Sequence, residues 1–238
     1  MYKILITTSG TGSRLGELTA KTNKSLVLLN KRPVINYIVD LYSPDIESVI
    51  TLGYFGYKIR DYLIKAYPGR KFTFVWVDKY QGDGSSLGYS MLRAKDKLQC
   101  PFIFHCNDTI IKGSLPSPEK FNWNGGSKGL DPELFNTKYL SSFTIKDGYM
   151  KQMNRKGASE WDLFHIGLVG LKDYKDFWSA LGKLYNANPN DSSLNDCAAM
   201  QLMVNKGIKF KAIELKKWYD TGNLANLNFT RDHYSSDK

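Results

Sequence analysis

Residues 6–25 read "ITTSGTGSRLGELTAKTNKS", the end of an apolar run followed by a loop carrying Gly10, Gly12, Arg14 and Lys24. Turn amides and fixed cations both favour bound phosphate, so the stretch points to an anionic ligand. Its spacing excludes the two commonest phosphate loops. A dinucleotide fingerprint needs a third glycine where Leu15 stands, and a P-loop needs a glycine before Lys24-Ser25, where Asn23 stands. Glycines at strand ends also serve turns that hold no ligand. Arg14 and Lys24 lift the stretch above that ordinary use, as two cations that can meet one polyphosphate.

Working outward, "KILITT" reads as a buried strand and "RPVINYIVDLY" as an amphipathic helix with Val34, Tyr37, Ile38, Leu41 and Tyr42 on one face. "SVITLG", "KFTFVWV" and "FIFHC" read as strands, separated by the helical stretches "YKIRDYLIKAYPG" and "SSLGYSMLRAKDKL". Strands alternating with helices predict βαβ units and a mainly parallel sheet. Lys112 to about Asn136 carries Gly, Pro, Ser and Asn without sustained period, and is expected to be a loop-rich insertion. A hairpin turning at Asp147-Gly148, a strand "FHIGLVGL" and a helix burying Tyr174, Phe177, Trp178 and Leu181 follow. A capping box from Ser193 to Asp196 opens a helix that Gly207 ends, and "KFKAIEL" and "NLANLNFTRDHY" close the chain as strand and helix. No repeat and no long linker divides residues 1–238, which are expected to form one domain.

The chain has 238 residues, 42% of them hydrophobic and 24% charged, ordinary values for a chain with a substantial core. No apolar stretch reaches the length of a membrane span, and "MYKILITTSG" is too short in its apolar run for a signal peptide. Cys100, Cys106 and Cys197 are too few and too widely spaced for a disulfide framework, which points to a reducing cytoplasm. The net charge of +10 is scattered in short clusters rather than a stripe, so small anionic substrates are expected rather than nucleic acid or a membrane surface. His105, His165 and His233 lie far apart with no H-x-x-x-H pair, and neither a zinc site nor a Cys-His nucleophile pair is expected. His105 reads as a hydrogen-bonded core residue, and Trp161 and Trp218 read as packing residues.

The stretch Gly10, Gly12, Ser13, Arg14, Leu15, Leu18, Thr19, Lys24 and Arg32-Pro33 resembles the N-terminal motif of the sugar nucleotidyltransferases, or nucleotide-sugar pyrophosphorylases. "GDGSSLGYSM" is similar to the family's G-T-A-x-A helix entry, "FIFHCNDTII" to its strand ending in an aspartate, "FHIGLVGL" to its N-x-G strand, and "WYDTGN" to its W-x-D-x-G-T. These matches fall in family order from residue 3 to about 227. The sequence departs from the pattern at Thr7-Thr8-Ser9, where alanines are usual, at Asn23 in place of proline, at His165 in place of asparagine, and at "NRK" in place of E-K-P.

The resemblance implies a Rossmann-like three-layer α/β/α fold with a mixed, mainly parallel sheet. It also implies Mg²⁺-dependent transfer of a nucleoside monophosphate from an NTP to a sugar phosphate. Ser9, Gly10, Thr11, Gly12 and Ser13, with Gly84 and Ser85, would hold the nucleotide, and Arg14 and Lys24 would be the catalytic cations. Asp108 and Asp220 would hold the metal. His165, Gly167 and either Arg155 or Lys156 would face the acceptor. Such a transfer suits these residue types: the attacking phosphate is already ionised, so positioning and charge neutralisation carry the catalysis. Two other functions remain open, a cytidylyltransferase for a non-sugar phosphate such as phosphocholine and a non-catalytic nucleotide-binding regulatory module. Since the chain ends soon after the last motif, the extra C-terminal domain of some relatives is not expected.

Overall fold

In the computed structural model, which describes residues 1–234, the N-terminal apolar run forms β1 (Lys3–Thr7). Two short 3₁₀ turns, Ser13–Thr19 and Lys24–Leu26, carry the glycine loop. They lead into the small ladder of β2 (Leu28–Leu29) and β3 (Arg32–Pro33) and helix α1 (Val34–Val39). The expected βαβ alternation then follows as β4 (Ser48–Leu52), α2 (Gly56–Ala66), β5 (Phe72–Trp76), α3 (Leu87–Ala94) and β6 (Phe102–Cys106). After β7 (Thr109–Ile111) come β8 (Asn122–Ser127), β9 (Ser142–Lys146), β10 (Tyr149–Asn154) and β11 (Leu163–Leu171). Helices α4 (Tyr174–Ala187) and α5 (Asp196–Asn205), strands β12 (Phe210–Glu214) and β13 (Trp218–Asp220), and helix α6 (Leu224–His233) complete the order.

One nine-stranded sheet, ordered β5-β4-β1-β6-β11-β8-β12-β10-β9, runs through the molecule. Its first four strands are parallel, and antiparallel pairs predominate beyond β6. Strand alternation sends Leu5, Val49 and Phe104 to one face and Ile4, Ile6, Ile50 and Ile103 to the other. α3, α4 and α5 cover the first face with Met91, Phe177, Trp178 and Met200, while Ile35 and Ile38 of α1 and Ile59 and Leu63 of α2 cover the second. The result is the three-layer α/β/α arrangement with a mixed sheet.

Three sequence expectations need correction. The segment 112–136, expected to be rich in loops, also contains β8 between β11 and β12, every residue of that strand buried. Its Asn and Gly residues mimic a turn, yet each meets a packing demand. A Cβ at Gly126 would lie 2.7 Å from the Phe143 ring, and Asn122 donates to Asp173 at 2.7 Å. α1 ends at Val39, short of Leu41 and Tyr42, and the Tyr42 hydroxyl instead bonds His105. The cap of α5 is Asn195, which accepts from the Ala198 amide, because Asp191 captures both the amide and the hydroxyl of Ser193. The hairpin at Asp147-Gly148 stands as expected, with φ of 52° and 79° matching a type I′ turn.

Candidate active site

β1 delivers the loop 8–14 to the C-terminal edge of the parallel strands, where open α/β sheets bind ligands. Gly12 sits at φ 67°, and a Cβ there would come within 2.9 Å of Lys24 Cβ. Its lack of a side chain therefore lets Lys24 fold back against the loop. A buried polar chain then fixes Lys24. Asn23 donates to the carbonyls of Thr8 at 2.8 Å and Tyr54 at 2.7 Å, while its Oδ1 accepts from the Ser25 amide and hydroxyl. Ser25 in turn accepts from Asn107 at 2.7 Å, which ties the lysine's turn to the end of β6. This chain was not read from the sequence: Asn23 showed only as a missing proline, and Ser25 and Asn107 carry no local pattern.

Lys24 Nζ lies 2.8 Å from Asp108 Oδ2, and Arg14 Nη2 lies 4.0 Å from the same oxygen. Cys106 donates its thiol to Asp108 Oδ1 at 2.9 Å. Burial alone would raise the Asp108 carboxyl, but the Lys24 charge and the thiol outweigh it and hold the group well below the usual carboxylate range. Lys24 is raised in turn, burial being overcome by the charge of Asp108.

Asp220 arrives from the far end of the chain. β13 pairs with β7 so that Asp220 stands opposite Thr109, and the Thr221 amide donates to the Asp108 carbonyl at 2.9 Å. The two carboxylates meet across Gly222: a Cβ there would lie 3.0 Å from Asp108 Oδ2, 3.0 Å from Asp220 Oδ1 and 3.3 Å from Arg14 Nη2. Burial, then the charge of Asp108, raises Asp220 to about 6, against hydrogen bonds from Asn226 and the Gly222 amide.

Two cavities adjoin here. The first, about 370 Å³, is lined by Ser9, Gly10, Thr11, Gly12, Ser13, Arg14, Lys24 and Ser85, together with Tyr80, Ser86 and Ser90 from farther along. The second, about 210 Å³, is lined by Lys156, His165, Gly167 and Asp220, with Tyr139, Asn195, Asp196, Cys197 and Trp218. Arg14, Leu87, Cys106 and Asp108 line both. Of the residues singled out from sequence, Gly84 and Arg155 line neither. Gly84, at φ 76°, is a turn residue packed near Pro189. Of the two alternatives Arg155 and Lys156, only Lys156 lines a cavity.

Gly167 shapes the second cavity. It has φ 69° inside an irregularity of the β11–β8 ladder, and a Cβ would lie 2.5 Å from Cys106 Cβ. Beside it His165 lies 2.9 Å from Asn124 Oδ1 and 3.0 Å from Asp196 Oδ2. Burial disfavours a charged ring, yet Cys197 and Asp196 outweigh it and hold His165 well above its ordinary value. The sequence offered no Cys-His set, but the fold brings His165, Asp196 and Cys197 together. His105 is the core histidine expected, bonded to Tyr42 at 2.6 Å and the Thr109 carbonyl at 2.8 Å, and burial pushes it down to about 4. Both tryptophans pack as expected, Trp161 on Phe164 and Trp218 on Phe135. Among the described residues no helix is long and apolar enough to cross a membrane.

No protein-family model matches the chain. The chain is 24% identical over 234 residues to the Bifunctional protein GlmU of Methanococcus maripaludis, covering 97% of this chain and 54% of that protein. It is 31% identical over 112 residues to the choline-phosphate cytidylyltransferase of Streptococcus pneumoniae, covering 46% of each. The chain thus spans about half the length of the curated relatives it matches. Among solved structures, a UDP-glucose pyrophosphorylase complexed with UDP-glucose superposes with a TM-score of 0.79 over 100% of both chains at 18% identity. The chain carries the fold of the sugar nucleotidyltransferases, and its relatives in sequence and structure are nucleotide-sugar pyrophosphorylases and related nucleotidyltransferases.

Proposed function

We propose that this protein transfers a nucleoside monophosphate from an NTP to a sugar phosphate, forming a nucleotide-activated sugar and releasing pyrophosphate. The observation that carries this is the junction of the two cavities, whose shared wall holds Arg14 and Asp108. A triphosphate in the larger cavity places its α-phosphorus at that wall, facing an acceptor phosphate in the smaller one. The acceptor's phosphate oxygen attacks the α-phosphorus, the bond to the β-phosphate's bridging oxygen breaks, and pyrophosphate leaves with that electron pair. No protein base is needed. The loop amides and the hydroxyls of Ser9 and Ser13 orient the polyphosphate. Arg14, largely exposed in its side chain, closes over the phosphates, while Lys24 is held in place by the Asn23–Ser25–Asn107 chain. Lys156, His165 and Gly167 line the side where the acceptor enters.

Asp108 and Asp220 fit a Mg²⁺ ion. Their oxygens face one gap that any side chain at 222 would fill, and Asp220 is raised by burial and by a repulsion that a cation relieves. Hard carboxylate oxygens suit magnesium, and when bound it neutralises charge on the reacting phosphates. A second acceptor class, phosphocholine with CTP, is favoured by the presence of Tyr139 and Asp196 in the lining of the smaller cavity, an aromatic ring and a carboxylate of the kinds that suit a quaternary ammonium. The relative that handles choline phosphate agrees with it.

The test is pyrophosphate release with Mg²⁺, the common NTPs and a panel of phosphorylated acceptors. Release with a sugar phosphate is expected. Release with phosphocholine alone moves the acceptor to the second class. NTP binding without release from any phosphorylated acceptor overturns the enzyme and leaves a nucleotide-binding regulatory module.

A further inference from the structure

Away from the two carboxylates, the fold assembles a second set of metal-binding side chains. His165 on β11, with Asp196 and Cys197 in the first turn of α5, brings a ring nitrogen, a carboxylate oxygen and a sulfur within 4.8 Å of one another. His165 Nε2 lies 3.0 Å from Asp196 Oδ2, and the Cys197 sulfur lies within 4.8 Å of the ligand atoms of both. The ring's other nitrogen, Nδ1, lies 2.9 Å from Asn124 Oδ1. An Nδ1–H donated to that carbonyl orients the ring and leaves Nε2 as the ligating atom, the arrangement that metal-bound histidines adopt. Asn124 is wholly buried in β8, so its carbonyl is a fixed post.

All three side chains line the smaller cavity, which leaves a fourth coordination position open towards it. We propose that His165, Asp196 and Cys197 form a site for a borderline divalent ion of the zinc class, separate from the Asp108–Asp220 pair. Donor chemistry distinguishes the two sites. Nitrogen and sulfur ligands select zinc or cobalt, whereas two carboxylates and phosphate oxygens suit magnesium. Zinc bonds of about 2.0–2.3 Å set tetrahedral ligand atoms roughly 3.5 Å apart, so the trio closes by about an ångström at its widest. On binding, the metal replaces the proton on Nε2 and the thiol proton, both of which go to solvent. An ion held there stands in the wall of the acceptor cavity and competes with the acceptor. That consequence rests on the proposed function, but the binding itself does not.

The experiment titrates the EDTA-treated full chain with Co²⁺ in the absence of nucleotide, then displaces the cobalt with Zn²⁺. One equivalent of Co²⁺ is expected to give a thiolate-to-cobalt charge-transfer band. Cys197→Ser, which is nearly isosteric, should abolish the band, and His165→Gln should weaken binding by about tenfold or more. Cys106→Ser and Asp108→Asn should leave the band in place. If His165→Gln fails to fold, the Cys197→Ser result still decides. Absence of the band at saturating Co²⁺ overturns the site, as does a band that survives Cys197→Ser and disappears in Cys106→Ser. Zinc should also inhibit turnover competitively with the acceptor, and this inhibition should weaken by about tenfold or more in Cys197→Ser. A band without turnover on any acceptor would uphold the site while failing the enzyme.

Discussion

The two sides of the junction are built in different ways. On the parallel side, β1, β4 and β6 bury both faces and the cavity is bordered by a loop of small residues, turn amides and one lysine tied down by its own neighbourhood. On the other side, β8 and β11 place Asn124, Gly126, His165 and Gly167 where aliphatic residues would be usual, and the cavity is lined by residues from segments scattered along the chain. On the proposed function, the backbone-built cavity would bind what every substrate of the class shares, the polyphosphate. The side-chain-built cavity would be where one acceptor is told from another, since each change of side chain changes shape and hydrogen bonding together.

The largest expected effects fall at the wall between the cavities. Asp108→Asn and Asp220→Asn should each cut turnover by about 10²–10³-fold while the fold is kept, and the double variant should lose little more, since on the proposed function both carboxylates would hold one ion. Pyrophosphate release and a thermal melt measure this, and undiminished turnover in both single variants would break the junction as the reacting centre. Next comes Lys24→Ala, expected to cost about a hundredfold in turnover, with Lys21→Ala as its control in the same loop. Equal losses would reduce Lys24 to general positive potential.

The two buried histidines should respond to pH in opposite directions. His105 is held down to about 4 by burial, so the folded protein refuses a proton that the unfolded chain accepts below about 6.5. Its contribution is full above that pH and is lost as pH falls towards 4, by about 3 kcal/mol at most. His165 is held above its ordinary value, so its contribution in metal-free protein is present below about 6.5 and fades as pH rises through the raised value. Denaturant unfolding across pH checks both: His105→Gln should flatten the acid limb and His165→Gln the neutral-to-alkaline limb.

Smaller differences separate the glycines of the two sides. A Cβ at Gly170 would lie 2.0 Å from Trp123 Nε1, whereas one at Gly10 would meet no heavy atom within 4 Å. Gly170→Ala should therefore destabilise by about 1–3 kcal/mol or more. Gly10→Ala should leave the melting temperature nearly unchanged and weaken nucleotide binding, and the reverse pattern would undo the contrast. The smallest effect tests the cap of α5: Asn195→Ala should cost about 1 kcal/mol, and Ser193→Ala less.

The sequence alone determined most of the parallel side and its loop. Its strands are largely apolar runs, its helices keep most of their period, and Gly12, Arg14 and Lys24 all lie within seventeen residues of the end of β1, so local spacing carries the information. Asp108 and Asp220 were legible as residues because each follows a short motif, although their meeting across Gly222 needed the β13–β7 pairing to bring together positions more than a hundred residues apart. Only the tertiary structure decided the rest. "NWNGGS" reads as a turn until Phe143, Leu168 and Asp173 supply the packing and hydrogen bonds that make asparagine and glycine the fitting residues of a central strand. Nothing near His165 in sequence announces Asp196 or Cys197, because strand register and the first turn of α5 set their distance. The physical reason is the same in each case: secondary structure and loop cations depend on neighbours in sequence, while buried polar partners and cavity walls depend on neighbours in space.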